Sequence, residues 1–314
     1  MSYLKNQEYN NSINDKIKTI YVRDFNSIIN HVEWIINNRV SKIDTKKFPS
    51  KLIKINFRKC RFLKPYHIAP LACLIHEYQS KSYKIKLEEI PPLIKEYLES
   101  FHFDQFCNSP VNKYFPKPTD PKTLPLWLIE ESAISVYPKY AQTYYEDNHF
   151  DGKSLFALSL SLAELMNNVF DHSESKIPGY TFTQYNTSTK QIITCVCDFG
   201  VGIPHKVNDF LKRTNKPILD GVSALIKSFE LKFSTLSKPH NRGFGWDNIF
   251  SNVKEFKGKM LIISNNAMFW LLKNGEIKTQ VLDKHFHGTS VIIWLDAVNP
   301  PLMEEELSDE LMIL

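Results

Sequence analysis

No apolar run in the 314-residue sequence approaches the roughly 18 residues of a membrane-spanning helix, so no such helix is expected. The opening stretch MSYLKNQEYNNSINDK is polar and lacks the apolar core of a signal peptide. Cysteine is sparse: Cys60, Cys73, Cys107, Cys195 and Cys197 are odd in number and scattered. Cys195 and Cys197 alternate along a predicted strand with no second cysteine pair to complete a zinc site, so buried thiols are expected. Internal repeats and low-complexity tracts are also missing. A soluble, reduced, cytoplasmic protein is the expectation.

What is present is unevenly charged. Residues 1–122 carry 21 Lys/Arg against 12 Asp/Glu, and the rest of the chain carries 18 against 22. A basic half could meet nucleic acid or an acidic partner. Its basic residues are dispersed among apolar ones, without aromatic interleaving or a recognition-helix pattern. A solvated surface is therefore expected, and nucleic acid is not the expected partner.

The first hundred residues alternate strand and helix. IKTIYV (17–22), KLIKINF (51–57) and YKIKLEEI (83–90) read as strands. DFNSIINHVEWIINNRV (24–40) reads as a helix with Asp24 as candidate N-cap, HIAPLACLIHEYQSK (67–81) as a second, and PLIKEYLESFHF (92–103) as a third opened by Pro92. This order predicts an α/β layer. The stretch KINFRKCRFLKPYHIAPLACLIHEY, followed by a strand and IKEYLESFHF, resembles the STAS domain of bacterial anti-sigma-factor antagonists. Regulated members of that family carry a phosphorylatable Ser in the turn. Here the turn is Leu63, Lys64, Pro65, Tyr66, so the resemblance implies a binding or dimerising element without the switch. A proline-rich stretch with five prolines in residues 108–127 follows. The division expected is a STAS-like domain over 1–107, a linker over 108–124, a second domain over 125–298 and an acidic tail over 299–314. The tail is read as a short amphipathic helix that docks on the domain or on a partner.

The second half holds the chemistry. LSLAELMNNVFDHSES (160–175) is a helix whose apolar face is Leu160, Leu162, Leu165, Met166, Val169 and Phe170. Glu164, Asn168, Asp171 and His172 fall one turn apart on a neighbouring face, which is either solvated or functional. QIITCVCDFGVGIP (191–204) is an alternating strand running into Asp198, Gly200 and Gly202. An Asp at a strand end can accept from an exocyclic amine, and glycines let the chain approach a ligand. NRGFGWDNIF (241–250) places Gly243 and Gly245 at a helix start, where backbone N–H groups can cradle phosphate. HFHGTSVIIWL (285–295) carries Gly288 and Thr289 into a strand.

In this order, ELMNNVFDH, DFGVGI, RGFGW and HGTS resemble the boxes of the GHKL superfamily, which comprises gyrase, a heat-shock chaperone, histidine kinases and the MutL mismatch-repair ATPase. The resemblance covers about residues 125–296. It implies a sandwich of helices on one face of a mixed sheet, with ATP between the helices under a flexible lid. Asn168 would coordinate Mg²⁺, and Glu164 would orient or deprotonate the attacking water. Asp198 would accept from the adenine amino group, with Thr289 bonding near the same base. Gly200 and Gly202 would pass the nucleotide, while Gly243 and Gly245 would sit by the phosphates. Residues 203–242, with little apolar periodicity, would form the lid and supply Lys238 and Arg242 to the phosphates. Asp171 and His172 resemble the D-H-S ending of anti-sigma-type members, with helix capping as the other reading. Asp247 occupies the place of a third glycine, behind Trp246, and puts tight lid closure in question.

A sensor kinase would need a helical hairpin with a phosphoacceptor His. The His76–Glu77 pair sits inside the α/β layer, where an ordinary histidine is expected, and His285 and His287 lack a third ligand for a metal. The expectation is a regulatory protein that binds Mg-ATP and couples it, by slow hydrolysis or phosphoryl transfer, to a switch acting on a protein partner or a homodimer. A non-enzymatic nucleotide-bound scaffold is the alternative.

Overall fold

The computed structural model describes residues 17–108, 118–230, 245–298 and 300. The chain is α/β, with a three-stranded parallel sheet and a five-stranded antiparallel sheet among the described residues. In the first sheet β1 (Lys18–Arg23), β2 (Leu52–Lys59) and β3 (Lys84–Glu88) lie in the order β1-β2-β3, with Ile53 opposite both Lys18 and Ile85. Ile20, Val22, Ile53, Ile55 and Phe57 sit at alternate positions and are buried, as the two-residue period of a strand requires.

Helix α1 (Ile28–Asn37) starts later than Asp24 suggests. Ser27 caps it, its Oγ accepting the Asn30 N–H at 3.1 Å. Asp24 instead accepts the Arg61 N–H at 2.7 Å and pairs with the Arg61 guanidinium, so a charged partner 37 residues away outcompetes the local cap. A short 3₁₀ turn (Val40–Lys42) precedes β2. Helix α2 (Pro65–Gln79) opens with Pro65 in its first turn, where a missing N–H costs nothing. The helix predicted over 92–103 ends early and gives way to α3 (Pro92–Ser100) and α4 (Phe103–Asn108), separated at His102, which takes a left-handed φ of 60°.

In the second half β4 (Trp127–Ile129), α5 (Glu131–His149) and α6 (Phe156–His172) precede the hairpin of β5 (Gly179–Asn186) and β6 (Gln191–Asp198). Helices α7 (Ile203–Arg213), α8 (Gly221–Lys227) and α9 (Gly245–Glu255) follow, and then the hairpin of β7 (Lys259–Leu271) and β8 (Ile277–Asp296). The strand order is β4-β5-β6-β8-β7, and every pair is antiparallel. The expectation of a mixed sheet is thereby corrected: hairpins join β5 to β6 and β7 to β8, and hairpin strands run in opposite directions.

Both faces of this sheet are covered. Ile192, Val196, Ile262 and Ile293 pack with Tyr137, Leu162, Met166 and Ile249 from the helices. Ile193, Cys195, Cys197, Ile263 and Trp294 point the other way and join one core with Ile68, Leu71 and Ile75 of α2. Helices were expected on one face only. Helix α2 from the N-terminal half takes the second face, which explains why it is apolar nearly all round. Cross-links seal this layer: the Cys73 thiol donates to Cys197 O at 3.3 Å, and His76 Nδ1 lies 2.7 Å from the Tyr180 hydroxyl. All five cysteines are buried and free.

Of the stretch expected as linker, residues 118–124 run against β5, with Leu124 buried and its N–H bonded to Thr183 O at 3.1 Å. Residues 109–117, and the predicted acidic tail apart from Pro300, lie outside the described residues. No helix of the described residues is long and apolar enough to cross a membrane.

Candidate functional site

Helix α6 buries Leu158, Leu162, Leu165, Met166 and Val169 against the sheet and α9. Glu164, Asn168, Asp171 and His172 flank this stripe and are each half-buried. Phe170, expected on the apolar face, is 51% exposed. It lies about 40° beyond Met166 around the helix, outside the stripe that runs from Val169 through Leu162 to Met166, so the buried face is narrower than the sequence suggests.

The C-terminus of α6 holds the loop that follows β6. Ser173 O accepts the Val201 N–H at 2.8 Å. Gly200 is pressed onto the same residue: a Cβ there would lie 1.9 Å from Ser173 O. No side chain fits at that position. Gly202, at φ +85°, is the N-cap of α7, and a Cβ on it would strike the Asn265 amide at 2.3 Å. Two glycines in five residues thus reflect close approach of the loop to α6 on one side and to β7 on the other.

Asp198 ends β6 opposite Thr289 of β8 and is 3% exposed. Its carboxylate accepts the Gly200 N–H at 2.7 Å and also the backbone N–H of Thr289. Burial pushes the carboxyl from its ordinary 3.8 up to about 7, although those two N–H groups and the nearby Arg39 charge pull it down. Asp198 therefore has both protonation states within reach near neutral pH. The Thr289 hydroxyl lies 3.0 Å from Ser264 Oγ, and Ser264 Oγ also accepts the Ile203 N–H at 2.8 Å. Asn265, on a β7 bulge with φ +53°, accepts the His205 N–H at 3.1 Å and donates to Val201 O at 2.9 Å.

Glu164 faces α9. Burial raises its carboxyl, while a hydrogen bond from the Asn248 side chain works the other way. One turn along, Asn252 ties α9 to α6 by donating to Ser161 Oγ at 3.0 Å and to Ala157 O at 3.3 Å. Gly245 opens α9 so close to Glu164 that a Cβ would lie 2.7 Å from Oε2. The buried Asn168 Nδ2 and Asp247 Oδ2 have no hydrogen-bond partner among the described residues.

No protein-family model matches this chain, and no curated protein matches it in sequence.

The four sequence stretches thus converge. Glu164 meets the start of α9, the end of α6 holds Gly200 and Val201, and Asp198 meets Thr289. Lys238, Arg242 and Gly243 lie outside the described residues. The segment expected as a lid divides. Residues 203–213 and 221–227 form helices, with Val207, Leu211 and Ala224 packed together and Leu225 in the main core. Ile203, Val207 and Leu211 recur every four residues, an apolar period masked in the sequence by the polar residues between them.

Sequence reasoning missed Ser264, Asn265 and Arg39. The pair Asn265–Asn266 interrupts an otherwise apolar strand and was a usable signal for the first two. Arg39 carries none. Its guanidinium makes a bidentate pair with Glu77, donates to His287 O at 3.1 Å and lies 3.7 Å from the Phe199 ring centroid.

Proposed function

We propose that this site binds Mg-ATP in the manner of the GHKL superfamily, and that the protein uses nucleotide binding as a regulatory switch. One observation carries the reading. Asp198 is a buried carboxyl at a strand end, fixed by two backbone N–H groups and flanked by the Thr289 hydroxyl. Two acceptor oxygens hold more lone pairs than two donors use, so an exocyclic amine such as that of adenine can still be accepted. Such a donor favours the ionised form, which the site otherwise resists.

The fit of the remaining residues supports the same reading. Gly200 brings its N–H onto the Asp198 carboxylate, while the packing of Gly200 on Ser173 and of Gly202 on Asn265 accounts for both glycines without a nucleotide. Gly245 and the first turn of α9 offer backbone N–H groups to an anion, and Lys238, Arg242 and Gly243 precede it in the chain. Asp171 and His172 close the last turn of α6 beside Ser173. Among the described residues no group of three or more His, Cys, Asp or Glu could hold a metal ion. A Mg²⁺ bound through Asn168 would therefore depend on phosphate oxygens, which it would neutralise, and that division suits an ion that prefers few protein ligands. Only Oδ1 of Asn168 could ligate the ion; the Nδ2 group, without a partner among the described residues, is a donor and would face a phosphate oxygen instead. Glu164, with its carboxyl raised by partial burial, is placed to take a proton from water.

The STAS-like half, docked on the same sheet through α2, would carry the switch to a protein partner or a second copy of the chain in the cytoplasm. One observation favours a scaffold that binds nucleotide without turning it over: Asp247 puts a carboxylate oxygen that has no partner among the described residues in the first turn of α9, where a transferable phosphate would meet like charge. Calorimetric titration with ATP, with and without Mg²⁺, tests the binding reading. Micromolar affinity that strengthens with Mg²⁺ is expected, and no heat or saturation at millimolar ATP rejects it. Steady phosphate release then separates the ATPase from the scaffold.

A further inference from the structure

We infer that Arg39 is a positioning residue for the Asp198 site, clamping from the N-terminal half the two chain segments that hold Asp198, so that nucleotide affinity depends on how that half is docked. The inference rests on the nucleotide reading above and names a determinant outside its motifs.

The geometry is specific. Arg39 follows α1, 159 residues before Asp198 in sequence. Its side chain is 14% exposed and that of Glu77 is 18% exposed. Glu77, on α2, binds the guanidinium through both carboxylate oxygens, at 2.6 Å from Nη2 and 2.9 Å from Nε, and also accepts the Val40 N–H at 3.0 Å. The guanidinium is thus oriented before it meets the second half. Its plane covers Phe199, the residue directly after Asp198, with Cζ 3.7 Å from the ring centroid. Its Nη1 donates to His287 O at 3.1 Å, two residues before Thr289. Phe199 in turn packs edge-on against Phe286, at 5.9 Å between ring centroids. One side chain therefore fixes both segments whose backbone N–H groups hold Asp198.

The fork and the flat face are both used, so lysine is not an equivalent substitute. The charged side chain that acts on Asp198 is Arg39, itself paired with Glu77, and it draws the Asp198 carboxyl down. The neighbouring Cys197 thiol is pushed well up by burial beside Cys73, and burial draws the His287 imidazole, which faces Arg39 and Glu77, down.

The test uses the full chain with Arg39→Lys, Arg39→Gln and Glu77→Gln. Two readouts are taken: ATP affinity by calorimetry, and, without nucleotide, the pH dependence of the stability difference between each protein and its Asp198→Asn counterpart. Arg39→Gln is expected to weaken ATP binding at least tenfold and to move the ligand-free midpoint upward. Arg39→Lys should keep the midpoint and lose about threefold in affinity, since charge is retained but the fork is not. Glu77→Gln should lose affinity by an amount between these two and move the midpoint downward, since the Arg39 charge is then no longer offset. A purely structural clamp would lower melting temperature and leave affinity and midpoint as in wild type, and that result in folded Arg39→Gln overturns the inference. If Arg39→Gln does not fold, unchanged affinity in Arg39→Lys overturns it equally. A wild type that binds no ATP overturns the nucleotide reading and this inference together. A wild type that binds, with variants that bind as well, overturns the inference alone.

Discussion

Gly288 lies directly on the backbone of Asp198: a Cβ on Gly288 would stand 2.1 Å from the Asp198 carbonyl oxygen and 2.9 Å from Phe199 Cα. Gly288 also takes φ +125°, a conformation side chains rarely adopt. Gly275, in the turn between β7 and β8, has φ +82° but nothing within 4 Å of its missing Cβ. The pair separates backbone strain from close approach. Gly275→Ala should cost roughly 1 kcal/mol, and Gly288→Ala more than about 3 kcal/mol, because backbone atoms cannot swing away as a side chain can. Urea unfolding midpoints measure both. Equal costs would show that β8 shifts freely relative to Asp198.

Asp198 sets a pH dependence with a definite sign. Its carboxyl rises from 3.8 unfolded to about 7 folded, so the folded protein holds an extra proton between those values. The stability this contributes is complete below pH 3.8 and is lost as pH rises through about 7. Asp198→Asn removes that loss. The variant should be more stable than wild type at pH 8 by roughly 2–4 kcal/mol, and the gap should narrow as pH falls toward 5. Denaturant melts at both pH values measure it. A variant equally destabilised at both would mean that the carboxylate is not held at a cost.

The shared core around α2 predicts how the chain unfolds. Leu71, Leu74 and Ile75 belong to one cluster with Cys195, Cys197 and Ile292 of the second sheet. Leu74→Ala should cost about 2–5 kcal/mol and lower the unfolding midpoint of both halves together. Exchange protection at β2 and at β6, followed through a urea series, would report each half. Loss at β2 with β6 unmoved would show that the halves unfold independently.

Glu164 and Asn168 should divide binding from chemistry. Glu164→Ala is expected to leave Mg-ATP affinity within about threefold and to cut hydrolysis by about 10²–10⁴-fold. Asn168→Ala should instead remove the gain in affinity that Mg²⁺ gives. Calorimetry with and without Mg²⁺, beside phosphate release, distinguishes the two. Equal loss of affinity in both variants would contradict the assignment.

What the sequence made legible was local. Asp198 and the glycines around it form a contiguous string whose chemistry follows from a strand end and a tight loop. Glu164 and Asn168 share a helix face because they are one turn apart. Asp24 could be read as a helix cap, because its actual partner Arg61 is 37 residues distant. Arg39 was invisible for the same reason: Glu77, Phe199 and His287 meet it only once α2 is seated on the second sheet. The α7 helix was misjudged because three apolar residues, Ile203, Val207 and Leu211, sit among lysines and polar side chains. Tertiary burial, rather than composition, decides such a helix.

The most direct measurement is calorimetric titration of Mg-ATP into wild type and Asp198→Asn at pH 7.5. A buried charged acceptor lost to an amide costs about 1.5–3 kcal/mol, so affinity should fall roughly 10–150-fold in a variant that is itself more stable than wild type. That pairing of weaker binding with greater stability is the signature expected of a carboxylate held buried for a ligand. Unchanged ATP affinity in folded Asp198→Asn would contradict the account at its centre.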